Sequence, residues 1–305
     1  MSFKQNINRV LNGLVRKSYW FNTIMFPDCD KFWNHKDFNI DVVNLGSTSG
    51  LNAFNYEDLP LKGYNWALGR NPLVADFEVL NNYYSYLNPQ RSTVIICLCP
   101  FSSLSGSYNY LDDKYYTILN VSSIPNESIR KRAEVLQIKK NPIKYYPLFE
   151  LIRSLKSLIT INKDNCLSES QMRADAVKWM SNWKKEFSIE DFSYPLSLVN
   201  QDGIEDAAKI LNKMIGYCKE RNIRPVLLIP PIYSALGKLF TPEIRSILID
   251  SLIDKIEDKT VWYRNYMDDE DFSNNIILFQ NSFLLNKKGA KLFTNKVLKD
   301  IGLVP

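Results

Sequence analysis

The chain has 305 residues, 45% of them hydrophobic and 23% charged, with a formal net charge of +5. Those proportions fit a folded globular protein and exclude a disordered or collagen-like chain. The modest positive charge permits attraction to anionic surfaces, and without a nucleic-acid-binding motif it gives no ground for a nucleic-acid partner.

High aromatic content and few glycines argue for a well-packed core, so a single elaborated domain over residues 1–305 is expected. The five cysteines are scattered and odd in number, which points to reduced thiols. With one histidine, His35, and no Cys-x-x-Cys pair, no metal or other cofactor is expected. Residues 1–20 lack the apolar core and small-residue cleavage site of a secretory leader, and no run is long enough for a transmembrane segment. The expected location is cytoplasmic.

In chain order, residues 40–45 (IDVVNL) form a short β-favouring run that ends in Gly-Ser-Thr-Ser-Gly, a strand entering a tight turn. Leu73, Val74, Phe77, Leu80 and Tyr84 recur at helical spacing over 71–87. Residues 93–99 (TVIICLC) are continuously apolar, as expected of a strand covered on both faces, and Pro100 stops them.

Residues 128–187 read as a helical insertion or lid, with helices around 145–159 and 171–187. Its basic side chains, Arg130, Lys131, Arg132, Lys139, Lys140, Lys144, Arg153 and Lys156, make either a solvated face or a docking surface for phosphates or a membrane leaflet. A strong amphipathic helix follows over 202–221, then a buried strand at 225–230 (PVLLIP). Next come a helix over 242–257 opened by Thr241 and Pro242, a strand at 260–263, and a last helix from Asn286. Strands alternating with helices imply α/β architecture with a parallel sheet, whose sites form at the carboxyl ends of the strands.

Two motifs carry chemistry. The first is Asn44-Leu45-Gly46-Ser47-Thr48-Ser49-Gly50; the second runs from Asn281 to Ala290 as NSFLLNKKGA. Together they resemble the first and last sequence blocks of SGNH (GDSL-like) hydrolases, Gly-Asp-Ser or Gly-Ser-Ser and Asp-x-x-His-Leu-Asn-x-x-Gly-Ala. The last block matches at Leu285, Asn286, Gly289, Ala290 and Phe293, while the middle of the chain is carried by element order alone. The first motif and residues 63–83 look closest to SGNH-like proteins encoded with bacterial surface-polysaccharide genes.

The resemblance implies a three-layer α/β/α, flavodoxin-like fold and places Thr48, flanked by Ser47, at the nucleophile position. It also puts Asn281 and Leu284 where the family has its Asp and His. Leu284 cannot accept a proton and Asn281 carries no charge to stabilise an imidazolium. The oxyanion donors implied are Gly69 or Asn65, and Ser102 or Ser103 where the family has an asparagine. His35, before the first strand, is expected at the far end of the sheet from Thr48. The carboxylates Asp268 to Asp271 read as a solvated loop rather than a base.

The implied function is a catalytically degenerate SGNH-like protein that binds a carbohydrate or protein partner in surface-polysaccharide biosynthesis. Two alternatives stand: a carbohydrate esterase or O-acyltransferase acting on an acyl ester through Thr48 or Ser47, and an interaction scaffold without a small-molecule site.

Overall fold

The computed structural model describes residues 3–107, 111–124, 128–147, 149–150, 167–192 and 195–305. The helix expected around 145–159 lies largely outside them. The chain divides into two compact units, residues 1–36 with 110–165 and residues 37–109 with 166–305. The segment 128–187, expected as one insertion, is shared between them.

The helices used below are α1 Phe3–Arg16, α2 Thr48–Ala53, α3 Leu73–Tyr83, α4 Ile129–Lys140, α5 Glu169–Glu186, α6 Leu198–Lys219 and α7 Lys287–Asp300. The first unit holds α1 and α4. Its core is aromatic: Phe21, Phe26 and Trp33 meet at ring-centroid distances of 4.9 to 5.9 Å. The Trp33 indole N–H donates to the Thr117 carbonyl at 3.1 Å, so the buried polar edge of the ring is satisfied.

The second unit is a parallel sheet of five strands: β1 Val42–Gly46, β2 Gly63–Asn65, β3 Thr93–Cys97, β4 Arg224–Ile229 and β5 Trp262–Asn265. Their order is β2-β1-β3-β4-β5, the flavodoxin-like arrangement. The central strands β1 and β3 are buried throughout and β4 is buried after Arg224, which is why they read as continuous apolar runs. The edge strands β2 and β5 are only partly covered.

Side chains alternate across the sheet. Val42, Ile95, Cys97, Val226 and Leu228 share one face with Phe54, Phe293, Val297 and Leu298. That face is where α2 packs against α7; α3 and α6 pack together elsewhere in the unit. Right-handed crossovers in this strand order put α3 and α6 on the opposite face, giving the three layers.

Two expected helices differ in detail. The helix expected over 71–87 becomes α3 followed by a tighter turn, Tyr84–Tyr86. That over 242–257 opens as expected, with the Thr241 hydroxyl accepting from the Ile244 N–H and Pro242 at the first position. It then widens into a π-turn at Ser246–Asp250, where the Ser251 hydroxyl captures the Ile247 carbonyl at 2.5 Å and competes with the backbone ladder.

The segment Ser102–Ser107 packs against α6, and Gly106 permits the approach. A β-carbon there would stand 2.1 Å from the Gly203 carbonyl oxygen and 2.2 Å from the Ala207 nitrogen. Gly106→Ala is therefore expected to destabilise the protein by about 1–3 kcal/mol through overpacking. Gly216, on α6 itself, is the contrast, because a β-carbon there would meet nothing within 4 Å. Gly216→Ala is expected to stabilise by roughly 0.5–1 kcal/mol. Paired denaturant unfolding curves for the two variants check both signs.

Candidate functional site

The turn after β1 is built around Gly46. Its φ of +130° is a conformation that side chains resist, and a β-carbon would lie 2.5 Å from the Cys97 carbonyl oxygen. The Gly46 N–H donates at 2.8 Å to Asp76 Oδ1 of α3. The same carboxylate oxygen accepts from the Asn71 side-chain amide. The turn is then joined to the segment beyond β2, Leu68 N–H donating to the Gly46 carbonyl at 3.0 Å.

Ser47 and Thr48 open α2, and both are half-buried. The Ser47 hydroxyl accepts from the Asn71 N–H at 3.1 Å, and the Thr48 hydroxyl accepts from the Arg70 N–H at 3.3 Å. Activation of a nucleophile needs the opposite polarity, with the O–H donating to a base. Among the described residues neither hydroxyl donates to a carboxylate or an imidazole.

The expected oxyanion donors are occupied differently. Asn65 donates to the carbonyls of Gly50, Leu51 and Phe54 at 3.0 to 3.3 Å, and Asn44 donates to the Gly50 carbonyl and to Asn65 Oδ1. These carbonyls belong to the end of α2, where a helix has no internal donors left, so Asn65 acts as a brace for α2. Ser102 is buried, its hydroxyl turned back to accept from the Cys99 N–H at 2.8 Å. Ser103 is buried too. Gly69 sits in the partly exposed turn that precedes Arg70.

In the second motif Asn281 Oδ1 accepts from the N–H groups of Phe283 and Leu284 at 3.0 and 2.8 Å, closing an Asx turn. Ser282 is fully buried; its N–H and hydroxyl both donate to Asp175 Oδ2 of α5, at 2.9 and 2.6 Å. The Phe283 ring lies 5.0 Å from Trp179 and 4.8 Å from Trp183, also on α5. Leu284 is buried. Asn286 caps α7 by accepting from the Gly289 N–H, while its amide donates to the Ile277 and Phe279 carbonyls.

The two motifs meet. The Asn52 amide donates to the Thr48 carbonyl at 2.8 Å, and Asn52 Oδ1 accepts from the Gln280 amide at 2.8 Å, so one side chain links the first turn to the residue before Asn281. A second tie joins the segment just after α2 to α7, the Asn55 N–H donating to the Thr294 hydroxyl at 2.8 Å. His35 belongs to the first unit and these motifs to the second. The acidic stretch is ion-paired: Asp268 with Arg245, Asp269 and Asp271 with Lys296.

Beside this junction runs a groove of about 640 Å³, lined among others by Asn52, Asn55, Tyr56, Tyr64, Asn286 and Lys287. It mixes amides, three aromatic rings, two lysines and two carboxylates, and Glu57 pairs with Lys287 at 3.1 Å at its side. That hydrogen bond, with a further one from Asn55, holds the Glu57 carboxyl below its usual range. No metal-binding cluster of His, Cys, Asp or Glu occurs among the described residues, and none of their helices is long and apolar enough to cross a membrane. Compared with known proteins, the sequence matches no family model and no curated protein.

Two positioning residues escaped the sequence reading. Asp175 gave no signal. Asp76 gave one: Leu73, Asp76, Phe77 and Leu80 share a buried helical stripe, so a carboxylate at that spacing requires an internal partner.

Asp76 is 2% exposed, and burial pushes its carboxyl up to about 8, against the pull of the Gly46 and Asn71 hydrogen bonds. An unfolded aspartate titrates near pH ~3.9. Stability from the protonated carboxyl is thus complete below that pH and is lost as pH rises through about 8. Asp76→Asn keeps an acceptor oxygen for Gly46 without a charge, so its melting temperature is expected to fall less than wild type between acid and mildly alkaline pH. Asp76→Ala leaves the Gly46 N–H without its acceptor and is expected to cost about 1–3 kcal/mol at acid pH, a deficit that narrows as pH rises because alanine, like asparagine, does not ionise. Thermal unfolding across that range, with the two variants and wild type side by side, measures both effects.

Proposed function

We propose that this chain is an SGNH-hydrolase-like protein without triad chemistry that binds carbohydrate in bacterial surface-polysaccharide assembly. The observation that carries the reading is the surroundings of Leu284. Where the resemblance expects an imidazole, a buried leucine follows Phe283, whose ring lies against Trp179 and Trp183, and Ser282 is held by Asp175. A base there would need access to the Thr48 hydroxyl and a charged partner, and Asn281 supplies only a neutral acceptor committed to backbone N–H groups. Loss of one key triad member typically costs about 10⁴- to 10⁶-fold in rate, so ordinary ester hydrolysis is not what such a site supports.

The carbohydrate part of the reading rests on the groove beside the junction. Sugars present hydroxyls in and out of the ring plane and an apolar face of C–H groups. Asn52 and Asn55 each keep one amide N–H and one oxygen lone pair beyond their internal contacts, Asn286 keeps acceptor capacity alone, and Tyr56 and Tyr64 offer aromatic surface. A mostly pre-formed concavity with a few oriented polar groups is the usual form of a small-ligand site.

Purified protein is expected to take no fluorophosphonate label and to release no nitrophenol from p-nitrophenyl acetate above buffer. Calorimetric titration with a panel of neutral and uronic-acid-containing oligosaccharides is expected to find a binder, weakened about tenfold or more, roughly the 1.4 kcal/mol of one lost contact, by Tyr64→Ala. An adduct on Ser47 or Thr48 would overturn the loss of chemistry; silence from every oligosaccharide would overturn the ligand class.

The double variant Asn281→Asp, Leu284→His restores the wording of the family block. It is expected to remain inactive toward the ester and to unfold at lower denaturant, because it places an imidazole and a charge where Leu284 is now buried. Recovery of hydrolysis would show that the two substitutions alone had silenced the site.

A further inference from the structure

The helix α1 is inverted relative to an ordinary surface helix. Ile7, Val10, Leu11 and Leu14, spaced to share one face, are 45%, 62%, 39% and 61% exposed, whereas Asn12 is 7% exposed. Asn12 Oδ1 accepts from the Ile143 N–H at 3.1 Å, and its amide donates to the Asn8 carbonyl at 2.9 Å. The inward face is therefore fixed by a polar anchor and by buried Val15, and the outward face is a row of aliphatic side chains.

Charge says what covers that row. Residues 1–27 include Lys4, Arg9, Arg16 and Lys17 and no Asp or Glu. Arg16 donates to the Lys139 and Lys140 carbonyls at 3.3 and 2.8 Å, which brings the basic end of α1 to the basic end of α4. The Lys139 ammonium lies 4.1 Å from the centre of the Trp33 ring. Across the whole first unit there are 16 Lys and Arg against 8 Asp and Glu, while the remainder of the chain has 22 against 25. The net positive charge of the protein is carried by the unit that displays the apolar row.

We propose that α1 docks the first unit on an anionic phospholipid bilayer, lying in the plane of the interface with Ile7, Val10, Leu11 and Leu14 in the acyl boundary and its basic residues among the headgroups. An amphipathic helix that is basic on its polar face, and not strongly apolar over its whole length, has this preference. At 14 residues it is too short to cross the hydrocarbon core. A second copy of α1 would bury the same apolar row but would set two acid-free basic segments side by side, so self-pairing is opposed by the charge that favours lipid. Each basic residue near an anionic surface contributes roughly fivefold in affinity.

The experiment uses the full chain in co-flotation with phosphatidylcholine vesicles, with and without phosphatidylglycerol. Flotation is expected with the anionic vesicles alone, falling steeply as salt is raised. It is expected to drop at least tenfold in Val10→Glu, Leu14→Glu, two exposed positions whose replacement leaves the circular dichroism spectrum and the melting temperature unchanged. Should that variant unfold, the charge variant Arg9→Glu, Lys17→Glu reads the same surface and is expected to lose flotation as well. Absence of flotation, equal flotation with neutral vesicles, or flotation indifferent to both variants would each overturn the proposal. So would a lipid-free dimer in light scattering that disappears in Val10→Glu, Leu14→Glu, because it would assign the apolar row to a second copy. Oligosaccharide binding by the groove of the other unit is read separately, so failure of one proposal leaves the other standing.

Discussion

One backbone group, the Gly46 N–H, lies where the sheet ends and the turn begins, and much of the second unit follows from how it is satisfied. A buried amide hydrogen without an acceptor is costly, and Asp76 reaches from α3 to supply one. The close approach to the Cys97 carbonyl allows no side chain at residue 46, so the chain turns there and delivers Ser47 and Thr48 to the start of α2. The short helix then needs acceptors and donors for its own ends, and Asn44 and Asn65 supply the donors. Only with α2 so placed does Asn52 reach Gln280 and set the second motif against the first.

Asn281 and Leu284 are physically coherent with each other. A carboxylate at residue 281 could close the same Asx turn, but it would carry a charge into a loop whose next three residues are buried. Without an imidazole to pair with, that charge would be unfavourable, and the neutral amide keeps the turn without it. Leu284 in its buried position needs no polar partner. Ser282 does need one, and Asp175 on α5 accepts both of its donors, so the polar requirement of the loop is met by a helix that also contributes Trp179 and Trp183 to the Phe283 ring.

How much of this could be read from the sequence depended on burial. β1, β3 and β4 announce themselves because strands covered on both faces have no polar alternation to interrupt them. β2 is three residues, Gly-Tyr-Asn, at a half-covered edge, and nothing in its composition distinguishes it from a loop. The Leu285-Asn286-x-x-Gly289-Ala290 run was legible as a motif, and its local role is structural: Asn286 caps α7, and a β-carbon on Gly289 would stand 2.2 Å from the Leu278 carbonyl oxygen. Asn65 looked available for oxyanion duty because sequence gives residue type and not commitment; its amide is fully engaged in holding α2. The break in the helix after Arg245 depends on where the Ser251 hydroxyl points, which periodicity does not encode.

The same limit applies to α1. Periodicity reveals the stripe of Ile7, Val10, Leu11 and Leu14, but a stripe has no sign, and the default assumption turns it inward. What reverses the assumption is a single polar contact, Asn12 to the backbone of Ile143, which fixes the opposite face against the first unit. An inward asparagine saturated by backbone groups costs little, whereas four exposed aliphatic side chains in one row are an unusual amount of apolar surface to leave together on one helix. The asymmetry of charge between the two units has the same direction: acids are paired with bases around the sheet, at Glu57, Asp58, Asp268, Asp269 and Asp271, while the segment that bears the aliphatic row has bases alone before Asp28. Apolar surface and uncompensated positive charge thus coincide on one short helix, a combination that water alone satisfies poorly and an anionic interface satisfies in both respects.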